Sequence, residues 1–186
     1  ARAPDHDALL AVNRGCAAAF SAVYECPVPV VVAVHGFCLG GGIGLVGNAD
    51  IVVASENATF GLPEVDRGAL GAATHLARMV PALKLRAMVL LAEVASAREL
   101  HGYGAIHSVV ADDQLVDTSR CIAARLAAKS TTVLRAAKEA LRGMDIVDPR
   151  RSYRFEQGFT YELTLSGVAQ EARAAFAEGR PPRFTR

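Results

Sequence analysis

Apolar residues recur at three- and four-residue steps at Leu9, Val12, Cys16, Ala19, Phe20 and Val23, which predicts a helix that Asp5 or Asp7 can cap and that ends before Pro27. The pattern then changes to unbroken apolar runs at Val30 to Val34 and Asp50 to Ala54, each reading as a strand buried on both faces. Between them Gly40-Gly41-Gly42 leads into Ile43-Gly44-Leu45-Val46, a glycine turn opening a short helix. A short strand follows at Thr59-Phe60-Gly61, then helices over Ala72 to Val80, stopped by Pro81, and Leu83 to Ala92. Ser96-Ala97-Arg98-Glu99 is a capping box for a helix that stops near Gly104, and Ile106 to Val110 is a last strand. From Asp112 onward the periodicity is helical: to about Lys129, then Thr132 to Met144, Arg150 to Leu165 and Val168 to Ala177. An α/β core over residues 1–110 and a helical packing or assembly region over 111–186 are expected.

Composition narrows the class. With 186 residues, 52% hydrophobic and 21% charged, the chain can bury a substantial core, and a net charge of +1 with scattered arginines leaves no basic footprint for nucleic acid. No apolar run is long enough to span a bilayer, so neither a membrane nor a nucleic acid is expected as a partner. Cys16, Cys26, Cys38 and Cys121 have no metal-ligand spacing and read as reduced, buried thiols, which fits a cytoplasmic protein with no metal. The opening Ala1-Arg2-Ala3-Pro4-Asp5 reads as the middle of a loop, so further residues are expected upstream.

The candidate chemistry lies in two turns. A strand ending in Gly40-Gly41-Gly42 and turning into a helix presents bare backbone N–H groups to an anion, where a side chain would block access. Leu62-Pro63-Glu64 then places a lone carboxylate in a tight turn, a candidate general base. An oxyanion hole beside a base suits chemistry next to a thioester carbonyl.

These segments carry a specific likeness. Gly36-Phe37-Cys38-Leu39-Gly40-Gly41-Gly42, Asn48-Ala49-Asp50-Ile51, Ala58 to Glu64 and Ser96 to Val110 resemble the enoyl-CoA hydratase/isomerase (crotonase) family, collinear over nearly the whole chain. The resemblance implies a spiral of ββα turns, a C-terminal all-helical region used in trimer assembly, and an acyl-coenzyme A substrate, the coenzyme being part of the substrate rather than a cofactor. It makes the Gly41 N–H one oxyanion donor, with the helix N-terminus at Gly42 beside it, and puts a second donor in an upstream loop that precedes the residues given.

Two positions shape the expected reaction. Family hydratases carry one glutamate two residues after the glycine triplet, where this chain has Gly44, and another in the Pro-Glu turn, where it keeps Glu64. Holding one water for addition to an enoyl bond uses both carboxylates, so ordinary hydration should be impaired. One base plus one enolate hole suffices for shifting a double bond or cleaving a C–C bond. The runs Ala11 to Cys16, Gly40 to Asn48 and Pro63 to Leu76 further resemble an actinobacterial subgroup of steroid-degrading hydrolases that open a ring of a bicyclic keto acyl-CoA. The expectation is a hydrolase of this kind, assembled as a homotrimer or hexamer. The alternatives are an enoyl-CoA isomerase or hydratase, and a catalytically silent homologue that acts as an assembly partner.

The remaining candidates compete with plainer roles. Asp66 assists Glu64 in proton transfer if the segment is extended, or else caps or pairs with Arg67. His75 lines the substrate site with Leu62 and Gly71, or is a satisfied packing histidine. His35 is expected to hydrogen-bond backbone at its strand end. Arg14, Lys84, Lys129 and Lys138 are candidates for coenzyme A phosphates or solvated faces, and Tyr153, Phe155, Phe159, Tyr161 and Phe176 for helix packing or an acyl pocket.

Overall fold

The computed structural model describes residues 6–184. Asp5, one of the two candidate caps of the first helix, and the opening segment fall outside the described residues. The elements run α1 (His6–Glu25), β1 (Val31–Val34), β2 (Phe37–Leu39), α2 (Gly41–Val46), β3 (Ile51–Ser55), β4 (Thr59–Gly61), α3 (Ala73–Leu76), α4 (Ala82–Leu90), β5 (Val94–Ser96), α5 (Ala97–Gly102), β6 (Ser108–Val110), α6 (Leu115–Ala127), α7 (Thr131–Met144), α8 (Pro149–Leu165) and α9 (Val168–Ala177), with 3-10 turns at Pro63–Arg67 and Asp112–Gln114.

Two three-stranded sheets form, in the orders β1-β3-β6 and β2-β4-β5. Pairing is parallel except between β4 and β5. The first two passes of the chain each give one strand to each sheet and then a helix or 3-10 turn, and the third gives β5 to one sheet and, after α5, β6 to the other, so the fold winds as a spiral. Val52 and Ala54 of β3 point into the main core with Ile43, Phe60, Leu76, Met88, Leu100 and Ile106. Val53 points the other way, onto Leu115 and Ile122 of α6. That alternation is the period-two geometry of a strand covered on both faces.

Beyond α6 the helices lie on the flank of the spiral. α8 packs against α1 and α3, and α9 against α8 and the 63–67 turn. α7 is tied to the core by Lys138, whose buried ammonium donates to Asp50 at 2.7 Å and to the Val28 carbonyl at 3.1 Å. Among the described residues no helix is long and apolar enough to cross a membrane.

Several expectations are corrected. β1 is less completely buried than expected, with Val34 buried, Val31 and Val32 half-buried against opposite clusters and Ala33 exposed, whereas β3 is buried from Val52 to Ser55. On α1 the buried positions are Asn13, Phe20 and Tyr24, while Val12 is exposed. The helix expected over Ala72 to Val80 is only α3, because Glu156 caps its start and the chain turns after Leu76. The three-residue strands β2 and β5 are additions: too short to show alternation, they exist through pairing with β4. Of the cysteines, all four are free but only Cys38 is buried; Cys121 is exposed.

Candidate active site

Parallel pairing assembles the site. β2 and β4 run side by side with Leu39 opposite Gly61, so the turns that follow them leave the same end of one sheet. Gly40 donates its N–H to the Gly61 carbonyl at 3.3 Å, and the glycine turn and the Pro-Glu turn are thereby held against each other. Gly40 has φ +52°, in the left-handed region open to glycine. A Cβ there would also lie 2.6 Å from Glu64 Oε1. Glycine at 40 is what lets the carboxylate approach the backbone.

Pro63 at the first position of the 3-10 turn and Gly68 in the left-handed conformation at its end fix how Glu64 projects. Glu64 is half-buried, and its Oε2 is fully enclosed with no hydrogen-bond partner among the described residues. Burial pushes its carboxyl above the ordinary range; Glu156 raises it further, against a hydrogen bond from its own backbone and the charge of Arg67. A carboxylate held like this takes up a proton more readily than a solvated one, as a general base requires. Facing it, Gly41 and Gly42 open α2, where first-turn N–H groups have no acceptor within the helix.

The structure does not bring Asp66 to Glu64. The 63–67 segment is 3-10 rather than extended, so residues two apart point about 120° away from each other. Asp66 lies exposed. Leu62, the other expected substrate contact in this turn, lies 2% exposed in the core cluster with Phe60. Gly71 stays at the surface of the loop before α3, half-buried with open space where a Cβ would be.

Gly44 has a steric reason. A Cβ at 44 would fall 2.3 to 2.6 Å from ring carbons of Phe20, so the α1 ring fills the space that a side chain from this position of α2 would enter. Phe20 in turn meets His75 edge-on at 4.9 Å and Tyr153 at 5.3 Å. His75 is buried, and burial with help from Arg78 pushes its imidazole down to about 4. Tyr153 is pushed up to about 12 by burial, then by the neighbouring Cys16 and Glu156.

Two recesses flank the 70–77 stretch. One, about 180 Å³, is lined by Phe20, Asn48, His75 and Tyr153. The other, about 380 Å³ and mainly apolar, is lined by Leu70, Ala73, Leu85, Val89, Phe155 and Phe159. Between them Glu156 accepts from the N–H groups of Ala73 and Thr74 at 2.8 and 3.0 Å, which locks α3 to α8.

The cationic candidates divide. Lys138 is consumed by its buried pair with Asp50, and Lys84 pairs with Glu99 at 2.9 Å. Arg14 and Lys129 are exposed, as is His35. Phe155, Phe159 and Phe176 are also exposed, the last under the Arg67 guanidinium at 4.1 Å, while Tyr161 is half-buried and Tyr153 is the one of these five candidates that is buried. The residues that sequence reasoning missed are Asn48 and Glu156. Their partners lie 27 and more than 80 positions away, so no local pattern marks them.

The profile of the family described as enoyl-CoA hydratase/isomerase matches residues 4–186. The chain is 60% identical over 178 residues to a protein of Rhodococcus jostii named (7aS)-7a-methyl-1,5-dioxo-2,3,5,6,7,7a-hexahydro-1H-indene-carboxyl-CoA hydrolase, covering 96% of this chain and 69% of that one. It is 58% identical over 171 residues to the protein of the same name from Mycobacterium tuberculosis, covering 92% and 69%. The solved structure of a carnitinyl-CoA hydratase from Mycobacterium avium superposes with a TM-score of 0.77 at 32% identity, covering 84% of this chain and 62% of that one.

Proposed function

The chain belongs to the enoyl-CoA hydratase/isomerase family, and from that premise we propose that it acts on a cyclic keto acyl-CoA, hydrolysing a ring C–C bond of a bicyclic substrate like the one its relatives are named for. The observation that carries this reading is Glu64: a single enclosed carboxylate with a raised proton affinity, pressed against the backbone that opens α2.

In the proposed reaction Glu64 takes a proton from water, and the hydroxide adds to a ring ketone. The tetrahedral adduct collapses by breaking the ring C–C bond; its electron pair enters an enolate or dienolate of the thioester, and the ketone carbon becomes a carboxylic acid, which releases its proton to solvent as it ionises. The N–H groups of Gly41 and Gly42 stabilise the thioester oxygen as charge develops. The proton held by Glu64 returns to the carbanionic carbon, so water is consumed and no redox partner is involved. The ring of Phe20 against Gly44 supports cleavage over hydration, because it fills the space beside Gly44 that a second carboxylate from this position would need. Exposed Leu141, Met144, Ile146, Phe155 and Leu165 on the C-terminal helices and the α7–α8 connection support assembly as a homotrimer or a hexamer built from trimers.

The test mixes the complete protein, wild type beside Glu64→Gln, with crotonyl-CoA and with the bicyclic indane-dione carboxyl-CoA. A mass gain of one water with a new carboxylate, from the bicyclic substrate only and only with Glu64 present, is expected. Efficient hydration of crotonyl-CoA would overturn the reading.

A further inference from the structure

The recess between α1, α3 and α8 contains a polar pair whose hydrogen bonding is incomplete. His75 and Asn48 are 1% and 2% exposed, and both line the recess. The Asn48 amide nitrogen lies 2.7 Å from the Gly44 carbonyl oxygen and 3.0 Å from His75 Nδ1. Reversing the amide would press two carbonyl oxygens together at 2.7 Å, so its orientation follows from chemistry. Both amide hydrogens are then committed, one to Gly44 and one to His75. His75 Nδ1 must accept, and its hydrogen resides on Nε2.

That Nε2–H and the Asn48 carbonyl oxygen have no partner among the described residues. Leaving a buried donor and a buried acceptor unpaired costs stability, and native chains keep such groups mainly where a ligand or a bound water completes them. Phe20 and Tyr153 hold the imidazole at 4.9 and 4.8 Å between ring centroids, with Ala17 at the side, while Ser21, Arg150 and Arg154 also line the recess. Because burial keeps the ring neutral, it serves as a hydrogen-bond donor without adding a buried charge of its own. The recess is also close to the reaction centre. Gly44, to which Asn48 is bonded, is three residues along α2 from Gly41, about 5 Å of helix rise.

We propose that His75, held in one tautomer by Asn48, donates its Nε2–H to a carbonyl oxygen of the substrate's ring and thereby selects keto-bearing cyclic acyl groups over hydrocarbon ones. This rests on the hydrolase reading above and assigns a ring-recognising contact within it. A site built to hydrogen-bond an oxygen rejects the analogue lacking it, because the donor is then left unpaired.

The test compares the indane-dione carboxyl-CoA with an analogue of the same ring lacking the ketone that is not cleaved. Binding of both is measured by calorimetry to the complete protein carrying Glu64→Gln, with and without His75→Phe, which keeps an aromatic ring between Phe20 and Tyr153 but has no N–H. The keto substrate is expected to bind about 10- to 100-fold more weakly to the His75→Phe protein, with the deoxo analogue unchanged. His75→Gln, which retains an N–H donor, should recover part of that loss. If His75→Phe does not fold, the Nε2–H proton resonance of the Glu64→Gln protein decides: it should move with the keto ligand and stay with the deoxo ligand. Equal discrimination in both proteins, or a resonance that responds identically to both ligands, overturns the inference while leaving the hydrolase reading intact. Failure of the wild-type protein to bind or cleave the keto substrate overturns both.

Discussion

At the scale of single residues, Glu64 combines a catalytic requirement with a stability penalty. Burial raises its proton affinity in the folded chain above the ordinary value of 4.5. The sign follows from linkage: the stability this group contributes is complete below its unfolded value and is lost as pH rises through the folded one. At neutral pH an ionised Glu64 with an unpartnered oxygen therefore opposes folding. Glu64→Gln should lower turnover of the ring-opening substrate by about 10²- to 10⁴-fold, the usual contribution of a positioned general base. The same variant should melt at a higher temperature than wild type at pH 7 and lose most of that advantage at pH 4. Thermal melts at the two pH values, run beside the activity assay, check both halves.

At the scale of elements, the contact between α1 and α2 is set by the absence of a side chain at Gly44. Gly44→Ala would drive a methyl into the Phe20 ring, an overpacking that should cost about 1–3 kcal/mol. Phe20→Ala alone should cost about 3–5 kcal/mol through the cavity it leaves. In the double variant the added methyl has room, so the two losses should fall short of their sum by at least about 1 kcal/mol in denaturant titrations. Glu156 is the comparable device for α3, and Glu156→Gln should cost about 1 kcal/mol as a helix cap is weakened. These contacts also show what was readable in the chain. The strand–glycine–helix passage, the Pro-Glu turn and the Ser96 cap are local patterns, so they were legible, as were the boundaries of α7, α8 and α9 within a residue or so. β2 and β5 were not, because three residues hold no period. Nor was the turning away of Asp66, which depends on a 3-10 rather than an extended backbone, or the meeting of Phe20, Asn48, His75 and Tyr153, which come from four separate segments.

At the scale of the whole molecule, acid should unfold the chain in two distinguishable stages. The first belongs to His75, whose folded value of about 4 lies below the ordinary 6.5 because burial, aided by Arg78, disfavours its charged form. An unfolded chain takes up that proton as pH falls through 6.5, while the folded one does not until about 4. Stability on the order of 3 kcal/mol, complete above pH 6.5, should thus drain away between 6.5 and 4 and then level off. The second stage belongs to carboxylates held below their ordinary range. Glu171 is pulled to about 2 by hydrogen bonds from the Arg180 side chain and the Arg183 backbone, and Glu99 and Asp148 are also lowered. Their contribution is present above pH 4.5 and is lost as pH falls toward 2. His75→Phe separates the two. Denaturant unfolding followed across pH 7 to 3 should show no decline in that variant down to about 4.5, only the gain that comes as Glu64 takes its proton, and the difference between wild type and variant should narrow over that range, with both proteins declining together below it. Parallel slopes above pH 4.5 would mean that the imidazole takes its proton inside the fold, and the neutral donor on which ring recognition depends would then be absent at mildly acidic pH.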